Sequence, residues 1–206
     1  CGYLIGKVDM KKIFLLLVVL IFSGCQTTKN VTSTQSEFKI GENKVSIVSG
    51  KFLQGYSDIL SNKVPAKKII TGKLYLPKPC SVQKMPAVII QHGSGHPKIA
   101  WYKKLSKVFN ENGIITLVPD SMTSRGISET SKDQSKLSKA TRLYDTFSAF
   151  RFLQEIECVD PSRVGITGYS FGGIIARDSV EKVLADKLGN GFFYKASLPV
   201  YPSCQA

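Results

Sequence analysis

The sequence predicts an α/β fold: a mostly parallel sheet with helices packed on both of its faces. Continuously apolar strand-like runs alternate with amphipathic helical segments, and Gly, Pro and Asn punctuate the junctions. The first strand-like segments are KVSIVSGKF and ITGKLYLP, the second with Ile70, Leu74 and Leu76 among polar or small neighbours. The run AVIIQ, residues 87–91, is apolar until its end, the pattern of a strand buried on both faces. From residue 98 to 111 the period changes. Ile99, Tyr102, Leu105 and Phe109 recur at spacings of three and four, which predicts a helix with one buried stripe. Asn112-Gly113 stops it, and IITLVP follows as another buried strand.

A polar stretch rich in Ser and Lys runs from Ser121 to about Lys139, and Leu143, Phe147, Phe150 and Leu153 then mark a second amphipathic helix. Asp160-Pro161 signals a turn, RVGIT a strand, residues 172–187 a third helix and FYKASLPVYP one further strand. So few elements make a short sheet. The expectation is a domain over 38–206 that is C-terminally incomplete, truncated after the strand that follows the third helix.

Composition narrows the classes. At 206 residues the chain has room for one domain with a sizeable core, and 43% hydrophobic with 21% charged residues is ordinary for a globular protein. The net charge of +13 is spread along the chain, with no basic run interleaved with aromatics and no nucleic-acid motif. No nucleic-acid partner is expected, whereas attraction to anionic surfaces is in keeping with the charge.

The N-terminal segment carries its own signature. Met10 precedes Lys11 and Lys12, an apolar run from Ile13 to Phe22, and then Ser23, Gly24 and Cys25. This is the basic, apolar and small-residue order of a secretory signal, and the run is about half of the roughly 20 residues that a membrane span needs. With a cysteine just after the small pair, the segment resembles a bacterial lipoprotein signal. That resemblance implies removal of residues 10–24, a lipid on Cys25, and an exported, membrane-anchored protein of the cell envelope or periplasmic side. Residues 1–9, which hold no Met, are read as a reading-frame extension, and residues 25–37, polar and rich in Ser and Thr, as a lipid-attached tether. Export would permit a disulfide among Cys80, Cys158 and Cys204; the sequence selects no pair. No CxxC spacing occurs and no metal site is expected.

Two motifs carry chemistry. Gly168-Tyr169-Ser170-Phe171-Gly172 is a G-x-S-x-G pentapeptide set between a strand and a helix. A serine on so tight a turn needs glycine at both flanking positions. The turn raises Oγ above the sheet, and the Phe171 N–H points to where a carbonyl oxygen becomes an oxyanion. His92-Gly93-Ser94-Gly95 directly follows AVIIQ, and its glycines let backbone N–H groups approach a substrate oxygen. The second oxyanion donor is therefore assigned to the Gly93–Ser94 backbone. His92 is read as a brace for this loop in preference to an acid–base group. His96 could face the cleft, but no spacing places it on Ser170.

From about Ile70 to Cys204 the chain resembles the dienelactone hydrolase family of α/β-hydrolases, through PAVIIQHGSG, ITLVPDSMTSRGI, the helix ending in FLQEI, VDPSRVGITGYSFGG and ASLPVYPSC. The resemblance implies an α/β-hydrolase fold, Ser170 as nucleophile, and an oxyanion hole from the Gly93–Ser94 region and Phe171. It also implies an acid after a later strand and a histidine after the last one. The founding members of that family use cysteine at the position of Ser170, so the serine looks like the esterase-like branch.

No histidine follows Ser170. Asp178, Glu181 and Asp186 fall on the third helix and are expected as solvated surface charges, and Asp120 as a turn or capping residue. Arg125, in the loop SMTSRGIS, either pairs with a substrate carboxylate or braces that loop. The expected function is a serine hydrolase that cleaves a small-molecule ester or lactone through an acyl-enzyme on Ser170, without a cofactor. This chain would then be a fragment with little activity. The alternative is a non-catalytic, lipid-anchored binding protein on the same scaffold.

Overall fold

A computed structural model describes residues 38–80, 83–97 and 100–202. The expected signal segment, tether and lipidation site Cys25, as well as Ile99 and Cys204, lie outside these residues.

Six strands form one sheet in the order β1-β2-β4-β3-β5-β6, with β1 at Gly41–Gly50, β2 at Lys67–Leu76, β3 at Met85–Gln91, β4 at Ile115–Asp120, β5 at Val159–Tyr169 and β6 at Ala196–Val200. The pairs β3–β4, β3–β5 and β5–β6 are parallel, while β1–β2 and β2–β4 are antiparallel, so the sheet is mixed and mostly parallel. Five helices accompany it among the described residues: α1 at Tyr56–Leu60, α2 at Ala100–Glu111, α3 at Lys139–Gln154, α4 at Phe171–Asp178 and α5 at Lys182–Leu188.

Alternation along the central strands divides the core in two, because successive side chains of a strand point to opposite faces. Met85, Ala87 and Ile89 of β3 join Ile115 and Leu117 of β4 in the larger cluster, with Leu143, Phe147 and Phe150 of α3. Val88 and Ile90 face the other way with Val118, under Trp101, Tyr102, Leu105 and Phe109 of α2. Tyr102, Leu105 and Phe109 of the stripe read from the sequence lie on the packed face of α2. The helix ends where expected, with Gly113 at φ 72° and its N–H bonded to the Asn110 carbonyl at 2.9 Å.

Two expectations need correction. The single helix read over 172–187 is two helices. Val180 and Glu181 donate to the carbonyls of Arg177 and Asp178, and the Ser179 hydroxyl donates to Ala176 O at 2.8 Å, so the chain tightens and turns after Asp178. The helix α3 does not present a polar face to solvent. It is packed against β1, β3, β5 and α4, and Thr141, Arg142, Asp145, Thr146 and Ser148 are buried along with its apolar residues. Its N-terminus is capped by Ser138, whose Oγ accepts the Thr141 N–H at 3.0 Å.

Cys80 and Cys158 form a disulfide that joins the segment after β2 to the start of β5. Among the described residues no helix is long and apolar enough to cross a membrane.

Candidate active site

The strand β5 delivers Ser170 to the end of the sheet, and α4 begins one residue later. Ser170 is exposed and holds φ 54° and ψ −119°, a conformation that L-residues rarely adopt. The crowding around the turn shows why glycine flanks it. A Cβ on Gly172 would lie 2.2 Å from the Gln91 carbonyl oxygen, and one on Gly168 would lie 2.3 Å from that of Gly172. The turn can close against the end of β3 only without those side chains. On its other side it is tied to β6, where the Ser170 N–H donates to the Val200 carbonyl at 3.1 Å. Trp101 packs edge-on against Tyr169 at 4.1 Å between centroids, with Tyr201 on Tyr169 at 5.7 Å.

The HGSG loop meets this turn. A Cβ on Gly93 would stand 3.9 Å from the Ser170 Cβ and 3.2 Å from the Tyr169 carbonyl oxygen. Ser170, the HGSG loop and the N-terminus of α4 are thus brought together. Phe171 opens α4, and the first intrahelical bond runs from Ile174 N–H to Ser170 O, so its own N–H has no acceptor within the helix. In the Gly93–Ser94 pair the Gly93 N–H is taken: it donates to the Tyr102 hydroxyl at 2.9 Å. Of the two residues assigned from sequence, the Ser94 N–H is the one left for a substrate oxygen, and Gly93 contributes the close approach. The Ser94 carbonyl is anchored by the Thr130 N–H at 2.7 Å.

His92 is fully buried. Its Nε2 accepts the Ser121 N–H at 3.3 Å and its Nδ1 donates to the Gly93 carbonyl at 2.8 Å, which fixes a neutral tautomer. Burial, reinforced by the adjacent Arg142 guanidinium, pushes its pKa down to about 3. A group so held is a brace and not a base. Asp120 accepts the Met122 and Thr123 N–H groups, both at 2.9 Å, and so builds the turn after β4. His96 lies half-buried on the HGSG loop.

Arg125 offers nothing to a ligand. Its side chain is 1% exposed and bidentate on Asp145, at 2.8 and 2.9 Å, with further bonds to the carbonyls of Ser121, Gly50 and Lys51. Of its two readings, loop-bracing is the one the geometry carries. Asp178 departs from the expectation of a solvated charge. It is 5% exposed, accepts the Tyr56 hydroxyl and pairs with Arg177 at 2.7 Å, whereas Glu181 and Asp186 are exposed.

Sequence reasoning missed Arg142. Its side chain is fully buried behind the HGSG loop and reaches the carbonyls of His92 and Gly93 and the Thr130 hydroxyl. One signal could have marked it. The exposed face of α2 carries Lys103, Lys104 and Lys107, whereas α3 has no lysine after Lys139, which is unusual for a solvent face in so basic a chain.

Beside the turn, a cleft of about 340 Å³ is lined by Gln54, Tyr56, Gln134, Ser138, Lys139 and Phe171. A larger one of about 770 Å³ lies between β2 and α2 and shares no residue with the turn or the HGSG loop. No group of three or more His, Cys, Asp or Glu side chains among the described residues could hold a metal ion.

Comparisons with known proteins bear on the fold. The prolyl oligopeptidase family (Peptidase_S9) matches over residues 100–182, the stretch that contains α2, α3 and the nucleophile turn. An uncharacterized 31.7 kDa protein in the traX-finO intergenic region of Escherichia coli is 29% identical over 90 residues, which cover 44% of this chain and 30% of that protein. Among solved structures, a hyperthermophilic esterase from the archaeon Pyrobaculum calidifontis superposes with a TM-score of 0.54 at 16% identity, over 96% of this chain and 53% of that one. The esterase Est22 does so with a TM-score of 0.53 at 13% identity, over 95% and 52%. The chain spans about half the length of these esterases and the match less than a third of the curated relative. Strand order, nucleophile turn and structural neighbours together make the fold that of the α/β-hydrolases.

Proposed function

We propose that this chain carries the nucleophile and oxyanion hole of a serine hydrolase that cleaves small-molecule esters or lactones, of the dienelactone hydrolase-like type. The observation that carries the reading is Ser170 itself, held exposed at φ 54° between the HGSG loop and the N-terminus of α4. In the reaction, Ser170 Oγ bonds to the substrate carbonyl carbon as its proton passes to a base. The carbonyl electron pair moves onto oxygen, which the N–H groups of Phe171 and Ser94 receive. Collapse of the adduct breaks the bond to the leaving alcohol, which takes up the proton and leaves an acyl-enzyme. Water then releases the acid by the same steps and restores the serine.

We infer that neither His92 nor Asp120 supplies the base or its partner acid, because both are committed to backbone groups. The 206-residue chain would keep only the fraction of catalysis that an oxyanion hole provides without a complete triad, about 10³-fold to 10⁴-fold over water. The disulfide between Cys80 and Cys158 supports an oxidising compartment, in keeping with export and a lipid on Cys25.

A fluorophosphonate probe with imidazole as a surrogate base tests this reading. Slow labelling of Ser170, accelerated by imidazole and absent in Ser170→Ala, is the expected result. No adduct on Ser170 with or without imidazole would refute the hydrolase reading and favour the binding-protein alternative. Fast labelling without imidazole that His96→Ala abolishes would instead place the base on His96.

A further inference from the structure

A buried arginine with no carboxylate of its own lies directly behind the oxyanion loop. Arg142 Nη1 donates to the Gly93 carbonyl at 3.0 Å and to that of His92 at 3.3 Å, and Nη2 donates to the Thr130 hydroxyl at 2.8 Å. The guanidinium carbon stands 4.3 Å from the centre of the Phe171 ring. Asp145, the carboxylate on the next turn of α3, is occupied by Arg125, and Arg142 forms no ion pair among the described residues. Its Nε is buried without a hydrogen-bond partner. Burying a cation on such terms is costly, and packing alone gives no reason for it.

The reason lies in the geometry of the peptide bond. A trans peptide is planar, and its C=O and N–H point in opposite directions. The Gly93 carbonyl and the Ser94 N–H belong to one such unit, so a donor that grips the carbonyl aims the N–H away from itself. The preceding unit shows the same arrangement with both ends visible: Arg142 takes the His92 carbonyl, and the Gly93 N–H points to the Tyr102 hydroxyl. The cation also polarises the peptide it holds, since hydrogen bonds in series strengthen one another in a buried setting. Its stacking on Phe171 fixes the residue that supplies the second N–H.

We propose that Arg142 is the positioning residue of the oxyanion hole, which aims and polarises the Gly93–Ser94 peptide while holding Phe171 against the same guanidinium. The inference rests on the hydrolase reading above. It assigns Arg142 a part in stabilising the transition state and none in binding the ground state.

The test is the rate of fluorophosphonate labelling of Ser170 in the 206-residue chain with saturating imidazole, resolved into the maximal rate and the half-saturating probe concentration. Arg142→Met, which keeps the bulk and removes the donors, should lower the maximal rate about 100-fold, the lower end of what loss of one oxyanion donor costs. The half-saturating concentration should stay within about threefold. Arg142→Lys, which can reach one carbonyl but not both, should recover about tenfold of the loss. Thermal melting of each variant identifies those folded at the assay temperature. If Arg142→Met does not fold, Arg142→Lys is the deciding variant, with about a tenfold deficit expected. A folded variant that labels at the wild-type rate, or that changes only the half-saturating concentration, overturns the proposal. Wild-type chain that gains no label overturns the hydrolase reading and this inference with it. Labelled wild type with unaffected variants overturns the inference alone.

Discussion

His92 should make the protein acid-sensitive, and the size of the effect follows from its surroundings. In the unfolded chain the imidazole titrates near its ordinary 6.5; in the fold, burial and Arg142 hold it down at about 3. Between these values the unfolded state binds a proton that the folded state refuses, so stability is present above pH 6.5 and is lost as the pH falls towards 3. Each pH unit in that window costs roughly 1 kcal/mol, and the loss from pH 7 to pH 4.5 is on the order of 2–3 kcal/mol. Urea unfolding followed by intrinsic fluorescence at half-unit pH steps measures it. The comparison is with His92→Gln, whose amide can still donate to Gly93 O or accept from the Ser121 N–H but does not titrate. The variant should start less stable at pH 7 and lose on the order of 2–3 kcal/mol less on acidification. Equal losses in the two proteins would show that His92 is protonated in the fold, and would undo the argument that it is a neutral brace and not a base.

Two further perturbations have signs set by the structure. Ser170→Gly removes the strain of a non-glycine residue at φ 54°, so it should raise stability by about 1 kcal/mol in urea unfolding while abolishing probe labelling. Reducing the Cys80–Cys158 bond, which spans 78 residues of sequence, should cost about 4 kcal/mol by loss of the constraint on the unfolded chain, read as a lower urea midpoint in dithiothreitol.

Residues whose roles follow from local sterics were legible before the structure. Gly168 and Gly172 are dictated by the turn on which Ser170 sits, and the unbroken apolar runs AVIIQ and IITLVP follow from strands covered on both faces. Asp120 was read as a turn residue because an Asp at a strand end bonds the backbone just after it. Arg142, Asp145 and Asp178 were not legible, and Arg125 was legible only as one of two readings. Their partners are distant in sequence: Asp145 meets Ser49 across 96 residues, and Asp178 meets Tyr56 across 122. A helical periodicity shows which residues are apolar but not whether the opposite face is covered by another layer, and α3 is covered on both sides. The Gly93–Ser94 loop lies beside Ser170, and its donor was left open because a hydroxyl from α2 claims one of the two N–H groups.

The hydrogen bond from Ser170 to Val200 gives the chain a built-in spectroscopic reporter. Ser170 follows the last residue of β5 and lies at an exposed position, so its amide would exchange quickly with deuterated solvent on burial alone. The bond to the end of β6 slows that exchange for as long as the strand stays docked. One amide cross-peak, followed over time, therefore clocks how often β6 lets go, and each release frees the turn at Ser170 from its support on that side.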